Sequence, residues 1–282
     1  MKKTLLKTVL FLLTVAVLLC ITSGASAKIE WEFLQDLPVP ETPKDIALTK
    51  DAATAYILGT ENIHVYSFKE QKFTDTIPVQ NSYSNIALTP EGDRILLTRE
   101  KDRSLSIIEI SEIFDLPIGD SAVIGNRKAR VSVSAFLDYQ CPYCARIFPV
   151  LEQLLKKYPD SINVVIKQFP LRSHKFSRHA ARASLAAARQ DKCLEMSKLL
   201  FKEARRLNDT TIRKQAETAG LDLAQFDRDY KDPALEKIIN RDYGQGRKAK
   251  VRGVPAIFVN GKPAKRARSL PALSKMIDKA LK

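Results

Sequence analysis

The sequence predicts an α/β domain carrying a helical insertion, preceded by a small all-β repeat region. Three observations predict it. Strand-like runs recur at a spacing of forty residues between residues 32 and 111. An alternating apolar run, Val131, Val133, Ala135 and Leu137, leads through Asp138-Tyr139-Gln140 into Cys141-Pro142-Tyr143-Cys144 and then an amphipathic helical pattern. Gly253-Val254-Pro255-Ala256-Ile257-Phe258-Val259-Asn260-Gly261 reads as a strand closing in an Asn-Gly hairpin turn. A length of 282 residues suits two compact units at the usual ~150 residues per domain. With 45% hydrophobic and 28% charged residues, 10 Gly and 14 Pro, collagenous and low-complexity chains are excluded.

The first element is a targeting segment. Lys2, Lys3 and Lys7 form a positive head, residues 8–21 are almost wholly apolar, and Gly24-Ala25-Ser26-Ala27 supplies small residues. This reads as a signal peptide over residues 1–27, cleaved after about Ala27. The apolar run falls short of the ~20 residues of a membrane span, which places an uncleaved anchor second. Leu19 stands where a lipoprotein signal would need a small residue before Cys20. Cleavage lowers the formal charge from +14 to +11 and leaves Cys141, Cys144 and Cys193 in a periplasmic or otherwise exported, oxidising compartment. Three cysteines, two of them close together, read as a redox pair plus one further thiol and not as a disulfide scaffold.

Residues 28–117 form the predicted β-repeat domain, with repeats at 32–71 and 72–111. Phe33 matches Phe73, Leu37-Pro38-Val39 matches Ile77-Pro78-Val79, and Asp45-Ile46-Ala47-Leu48-Thr49 matches Asn85-Ile86-Ala87-Leu88-Thr89. Polar turns follow, then the runs Thr54 to Leu58 and Arg94 to Thr98, and finally His64 to Phe68 and Leu105 to Ile110. Several short strands per forty-residue unit are the pattern of propeller blades, and the repeats resemble WD/YVTN-type blades without the Trp-Asp dipeptide. Two blades cannot close a ring of ~4 to 8, so their edges call for a cover, either the following domain or a second copy. His64 alternates with apolar neighbours and is expected as a partly exposed strand residue; no metal site is expected.

The second half carries the chemistry. The C-x-x-C opens a helix, and Pro142 suits a first turn, where no backbone N–H is needed from it. A thiol at a helix N-terminus faces free N–H groups and the positive end of the dipole, which favour thiolate, so Cys141 is the expected reactive sulfur and Cys144 its less exposed partner. Pro149 predicts a kink or break near Ile147. A zinc site would need a second ligand pair, and His174 and His179 lack matching spacing. Past a strand at Ile162 to Lys167, helical patterns cover residues 175–189, 194–205, 210–219 with Gly220 as C-cap, and 233–248; Ser269 caps a last helix ending near Leu281. Cys193 reads as a small buried apolar residue.

The paired motifs C-P-Y-C and V-P-A-I-F-V-N-G, about 110 residues apart, resemble the thioredoxin superfamily and within it the exported DsbA-like thiol-disulfide oxidoreductases, over residues 118–282. The resemblance implies a thioredoxin-like fold with its helical insertion at about 175–250, a cis Val254-Pro255 lying against the cysteines, and substrate backbone bound along Gly253, Val254 and Pro255. It further implies a membrane redox partner that resets the pair. Where many members keep a carboxylate six residues before the first cysteine, this chain has Ala135. Asp138 either takes part in proton transfer or is a solvated turn carboxylate or helix-entry cap. Lys167 either favours a thiolate at the site or faces solvent.

The function expected is formation of disulfides in reduced, unfolded secreted proteins by a chain that needs no cofactor. Val254 resembles the oxidase choice before the cis proline. An isomerase or reductase dimerised through the repeat domain is the alternative among enzymes, and a client-binding protein with an auxiliary C-x-x-C latch the alternative of another class. Basic residues sit in short clusters, Arg127-Lys128, Arg205-Arg206, Arg247-Lys248 and Lys265-Arg266, without interleaved aromatics, which fits a solvated positive face and disfavours nucleic acid as a partner.

Overall fold

The computed structural model describes residues 29–80, 83–265 and 268–282; the expected signal peptide, Cys20 and Arg266 lie outside the described residues. The chain divides into two compact units, the second holding Leu88–Ile95 and Ile107–Lys282.

Two antiparallel sheets are built from the repeated sequence. The first has strands β1 (Asp45–Leu48), β2 (Thr54–Leu58), β3 (Asn62–Ser67) and β4 (Lys72–Pro78) in that order, and the second β5 (Asn85–Leu88), β6 (Arg94–Arg99) and β7 (Ser104–Glu109). Short polar turns return each strand on its neighbour: Thr49 Oγ1 receives the Thr54 N–H at 3.0 Å, and the equivalent Thr89 Oγ1 receives the Arg94 N–H at 3.2 Å. Residues 32–38 repeat the sequence of β4 but carry no strand. His64 is buried, its ring near Thr76 Oγ1 and Glu41, and is not the partly exposed residue expected from alternation. Packing against Phe73 closes the face on which it lies.

The second half is a thioredoxin-like α/β fold. Its sheet has the order β12 (Lys262–Pro263), β11 (Ala256–Val259), β9 (Val131–Leu137), β10 (Ile162–Gln168) and β8 (Ala122–Gly125), with only the β9 and β10 pair parallel. The central strands β9 and β10 are buried almost throughout because both faces are covered. Helix α1 (Pro142–Lys157) and helix α7 (Leu270–Leu281) supply part of that cover, through Ile147, Leu151, Leu154, Leu273 and Ile277. Five helices, α2 (Ser177–Ala188), α3 (Cys193–Lys202), α4 (Asp209–Thr218), α5 (Leu223–Lys231) and α6 (Pro233–Lys248), stand between β10 and β11 as the insertion.

Two details of the helices depart from the sequence reading. Helix α1 runs unbroken past Pro149, which lies on the exposed face, where a carbonyl that loses its donor is open to water. Helix α5 was not expected; Asp222 caps it by accepting the Gln225 N–H at 2.8 Å, and Phe226 is its buried anchor. Helix α6 spans 233–248 as expected, running through Gly244 and Gly246; at Gly246 a Cβ would come within 2.7 Å of the Phe169 ring, so that turn of α6 lies against the end of β10 only with glycine there. The Asn-Gly turn is as expected, with both Asn260 and Gly261 at positive φ.

Candidate active site

Strand β9 ends at Leu137, and the next three residues turn the chain into α1. Cys141 is the N-cap of that helix, its backbone extended at φ −79° and ψ 119°, with Pro142 in the first helical turn. The Cys141 N–H donates to the Asp138 carbonyl at 3.1 Å, and the Cys141 carbonyl starts the helix by accepting from Ala145 at 3.1 Å. Cys141 thus stands where the free N–H groups of the first turn and the positive end of the helix dipole converge.

Opposite it is the segment that enters β11. The Val254-Pro255 peptide is cis, and the Cys141 sulfur lies 3.8 Å from the Val254 carbonyl oxygen. Pro255 is buried, Val254 half-buried and Gly253 exposed. Tyr143 projects 60% exposed beside the pair, with the Arg146 guanidinium 5.4 Å from its ring centre, and Pro142 is exposed too. The rim is therefore open around a sulfur that itself has little surface.

Cys144 is wholly buried one turn further in. Burial pushes its thiol far up, partly countered by a hydrogen bond from the Asp138 backbone; the neighbouring Cys141 sulfur and the Asp138 carboxylate push it further in the same direction. Two cysteines of one motif therefore stand in unlike surroundings, one at the rim and one under cover.

Asp138 is not a solvated turn carboxylate. It is buried and accepts the Gln140 N–H at 2.7 Å, the Leu171 N–H at 2.8 Å and a hydrogen bond from His174 Nδ1 at 2.9 Å. The loop after β10 folds over the cysteine turn to make those contacts, and Gln140 fastens it from the other side by accepting the Phe176 N–H at 2.6 Å. His174 and Gln140 are the residues that the sequence reading missed here. Both belong to no periodic pattern, and their partners lie 36 positions away.

Lys167 is neither at the cysteines nor in solvent. Its ammonium is buried and donates to the Pro117 carbonyl at 2.6 Å and to Ser121 Oγ at 3.0 Å, with Asp242 Oδ1 at 3.5 Å. Burial lowers the lysine and raises the aspartate, each opposed by the attraction of the other. Lys167 faces the α6 side of the sheet, where Asp242 on that helix supplies its partner. Cys193 is buried, as expected, between Ser184 Oγ at 3.8 Å and Ser197 Oγ at 3.9 Å, and burial pushes its thiol up to about 11. The Tyr139 hydroxyl joins the same two serines at 2.6 and 2.8 Å. No cluster of three metal-ligating side chains occurs among the described residues.

Residues 118–279 match a protein-family model described as Thioredoxin. Among solved structures, a thioredoxin-like oxidoreductase from Silicibacter pomeroyi DSS-3 superposes with a TM-score of 0.52 at 28% identity, covering 57% of this chain and 92% of that one. Oxidised BdbD from Bacillus subtilis shares the fold, with a TM-score of 0.51 at 21% identity over 61% of this chain and 98% of that one. Among curated proteins, the Na(+)/H(+) antiporter NhaA 1 of Mycobacterium sp. (strain KMS) is 34% identical over 142 residues, 49% of this chain. This chain spans about a quarter of that protein's length, 23%.

Proposed function

The chain belongs to the thioredoxin family, and on that premise we propose that it is an exported, DsbA-like thiol-disulfide oxidoreductase that introduces disulfides into reduced secreted proteins. One observation carries the reading: Cys141 caps a helix with its sulfur 3.8 Å from the carbonyl before cis Pro255, above a wholly buried Cys144.

In the oxidised enzyme, a substrate thiolate attacks the Cys141 sulfur. The Cys141–Cys144 bond breaks, Cys144 leaves and takes up a proton, and substrate and Cys141 are joined as a mixed disulfide. A second substrate thiolate then attacks the substrate sulfur of that bond and releases Cys141. The substrate has lost two electrons and two protons to become a disulfide, and the enzyme is left as a dithiol for a membrane redox partner to reoxidise. The rim at exposed Gly253 and half-buried Val254 lies along extended substrate backbone, a mode that accepts many sequences. Asp138 is the positioning acid beside Cys144, and His174 links it to the surface.

The N-terminal location signal, cleavage after about Ala27 and a domain boundary near residue 117 belong to the same reading. The first two are supported by the charge and apolar pattern of residues 1–27, and the boundary by a family match that begins at residue 118. The two small sheets are the blades of a WD/YVTN-type repeat, a reading supported by their matching strand order. An isomerase held as a dimer is the second reading, favoured by the apolar residues those sheets leave exposed.

The test is transfer to a client. The disulfide form is mixed with a reduced, unfolded secreted protein, and disulfides gained by the client are counted by mass. One client disulfide per enzyme is expected, with none for Cys141→Ser or Cys144→Ser, neither of which can form the enzyme disulfide. An intact enzyme disulfide that is not passed on contradicts the reading.

A further inference from the structure

The two small sheets align strand for strand, β1 with β5, β2 with β6 and β3 with β7, but only the first has a fourth strand. That strand, β4, reads Lys72-Phe73-Thr74-Asp75-Thr76-Ile77-Pro78, and the same pattern stands forty residues earlier as Glu32-Phe33-Leu34-Gln35-Asp36-Leu37-Pro38. Residues 32–38 are exposed through Phe33, Leu34 and Leu37 and pair with nothing that would make them a strand. A fourth-strand sequence without a sheet and a sheet without its fourth strand are thus present in one chain.

The sheet faces are mismatched in the same way. Across β1, β2 and β3, Asp45, Leu58 and Ile63 lie opposite one another on one face. Ile63 and Val65 on that face are 0% and 9% exposed, whereas Leu105 and Ile107, in the same places on β7, are 57% and 59% exposed. The other face of the first sheet exposes Ile46 and Leu48 by about half, while Ile86, the counterpart of Ile46, is buried. Between the sheets, Asp45 Oδ2 accepts the Ile86 N–H at 2.9 Å, so their first strands meet side by side. Asn85 holds the place of Asp45 in the second sheet, and it is exposed. Each chain therefore makes one such junction and leaves one uncovered half of it at either end.

We propose that two copies of the chain close a four-bladed ring, in which residues 32–38 of each copy form the fourth strand against β7 of the other. Two sheets from each of two copies give four, the lower end of closed propellers, and a two-fold axis makes both new junctions identical. Closure repeats between copies the junction already made at Asp45 and Ile86, covers Ile46, Leu48, Leu105 and Ile107, and removes the open edge of β7. The register follows from β4, where Ile77 stands opposite Ile63 and Pro78 opposite Asn62. Leu37 accordingly falls opposite Leu105, and Phe33 opposite Ile108. Glu41 clamps the following residues to the β2–β3 turn of the first sheet, accepting the Thr60 and Glu61 N–H groups at 2.8 and 2.9 Å. Only Val39 and Pro40 lie between Pro38 and that clamp, a reach of roughly 10 Å, and they hold the segment at the first sheet.

The experiment mixes two forms of the exported chain, Leu37→Cys and Leu105→Cys, both with Cys141→Ser and Cys144→Ser, and measures oxidation to a covalent pair beside the mass in solution. A covalent pair joining one copy of each form, a mass twice that of the chain, and a Leu34→Cys control that fails to join Leu105→Cys are expected. Leu105→Lys should halve the mass while the far-ultraviolet melting of the sheets persists. A monomer at tens of micromolar, a cross-link within one copy of the Leu37→Cys, Leu105→Cys double variant, or a dimer indifferent to Leu105→Lys each overturns the ring. Client oxidation by the otherwise native Leu105→Lys form reads the redox proposal separately, because its cysteines are untouched.

Discussion

Asp138 Oδ2 lies 2.9 Å from His174 Nδ1, with the carboxylate closed off from water and the imidazole side chain 25% exposed. The carboxylate accepts two backbone N–H groups besides, which makes Nδ1 the donor to it. The carboxylate is near enough to the Cys144 sulfur to push that thiol further up, so the pair leads from beside the buried thiol outward.

Resolution of a mixed disulfide on Cys141 by Cys144 needs the Cys144 proton to leave, and burial holds that proton tightly. Asp138→Asn keeps an oxygen acceptor for the loop but cannot take the proton. We expect on the order of 10²-fold slower decay of the mixed disulfide at pH 7, narrowing as pH rises, in quenched-flow trapping. His174→Gln should show a smaller loss with the same pH trend, and melting temperatures should fall little. An unchanged decay rate in Asp138→Asn would remove the acid from the path.

Lys167 and Asp242 offer a stability test far from the cysteines. Each is buried with the other as its ionic partner, so Lys167→Met or Asp242→Leu alone should cost about 3–5 kcal/mol in denaturant unfolding. The double variant should recover most of that loss, because removing both charges leaves neither one stranded. Additive losses would show that the two side chains act independently.

Glu41 sets an acid limit on the first sheet. Backbone and side-chain donors of Glu61, Asn62 and Thr60 bring its carboxyl from 4.5 down to about 2. A folded value below the unfolded one means that the contribution is complete above about pH 4.5 and is lost as pH falls toward 2. Glu41→Gln should lower stability at neutral pH and flatten its acid dependence, measured as urea midpoints by circular dichroism between pH 2 and 7. Parallel pH curves for the two proteins would contradict the clamp.

The cysteine turn was legible because it is local. Alternation in Val131 to Leu137, a proline after Cys141 and the apolar spacing of Ile147, Leu151 and Leu154 are all written within some two dozen residues. Pro255 was legible through the resemblance of its motif. What the sequence reading lacked depends on distant chain: the burial of Asp138 on a loop more than thirty residues later, and that of Lys167 on Asp242, 75 residues later. Strand β8 went unread because four residues, Ala122–Gly125, show too little alternation, and α5 because Leu223, Phe226 and Tyr230 are its sparse apolar set, although Asp222 and the Asp232-Pro233 boundary were signals for its ends. Residues 32–38 teach the converse. They carry the pattern of β4 and form no strand, because a strand needs an edge to pair with.

A disulfide donor of this kind needs a Cys141–Cys144 disulfide that readily accepts two electrons from client thiols, and the most direct test is the equilibrium of that pair. Equilibration in graded glutathione buffers, with Cys193→Ala as control and thiol trapping as readout, gives the reduction potential. A disulfide-donating enzyme predicts a value near ~−120 mV. A value near ~−270 mV, the range of a reducing thioredoxin, would contradict the account.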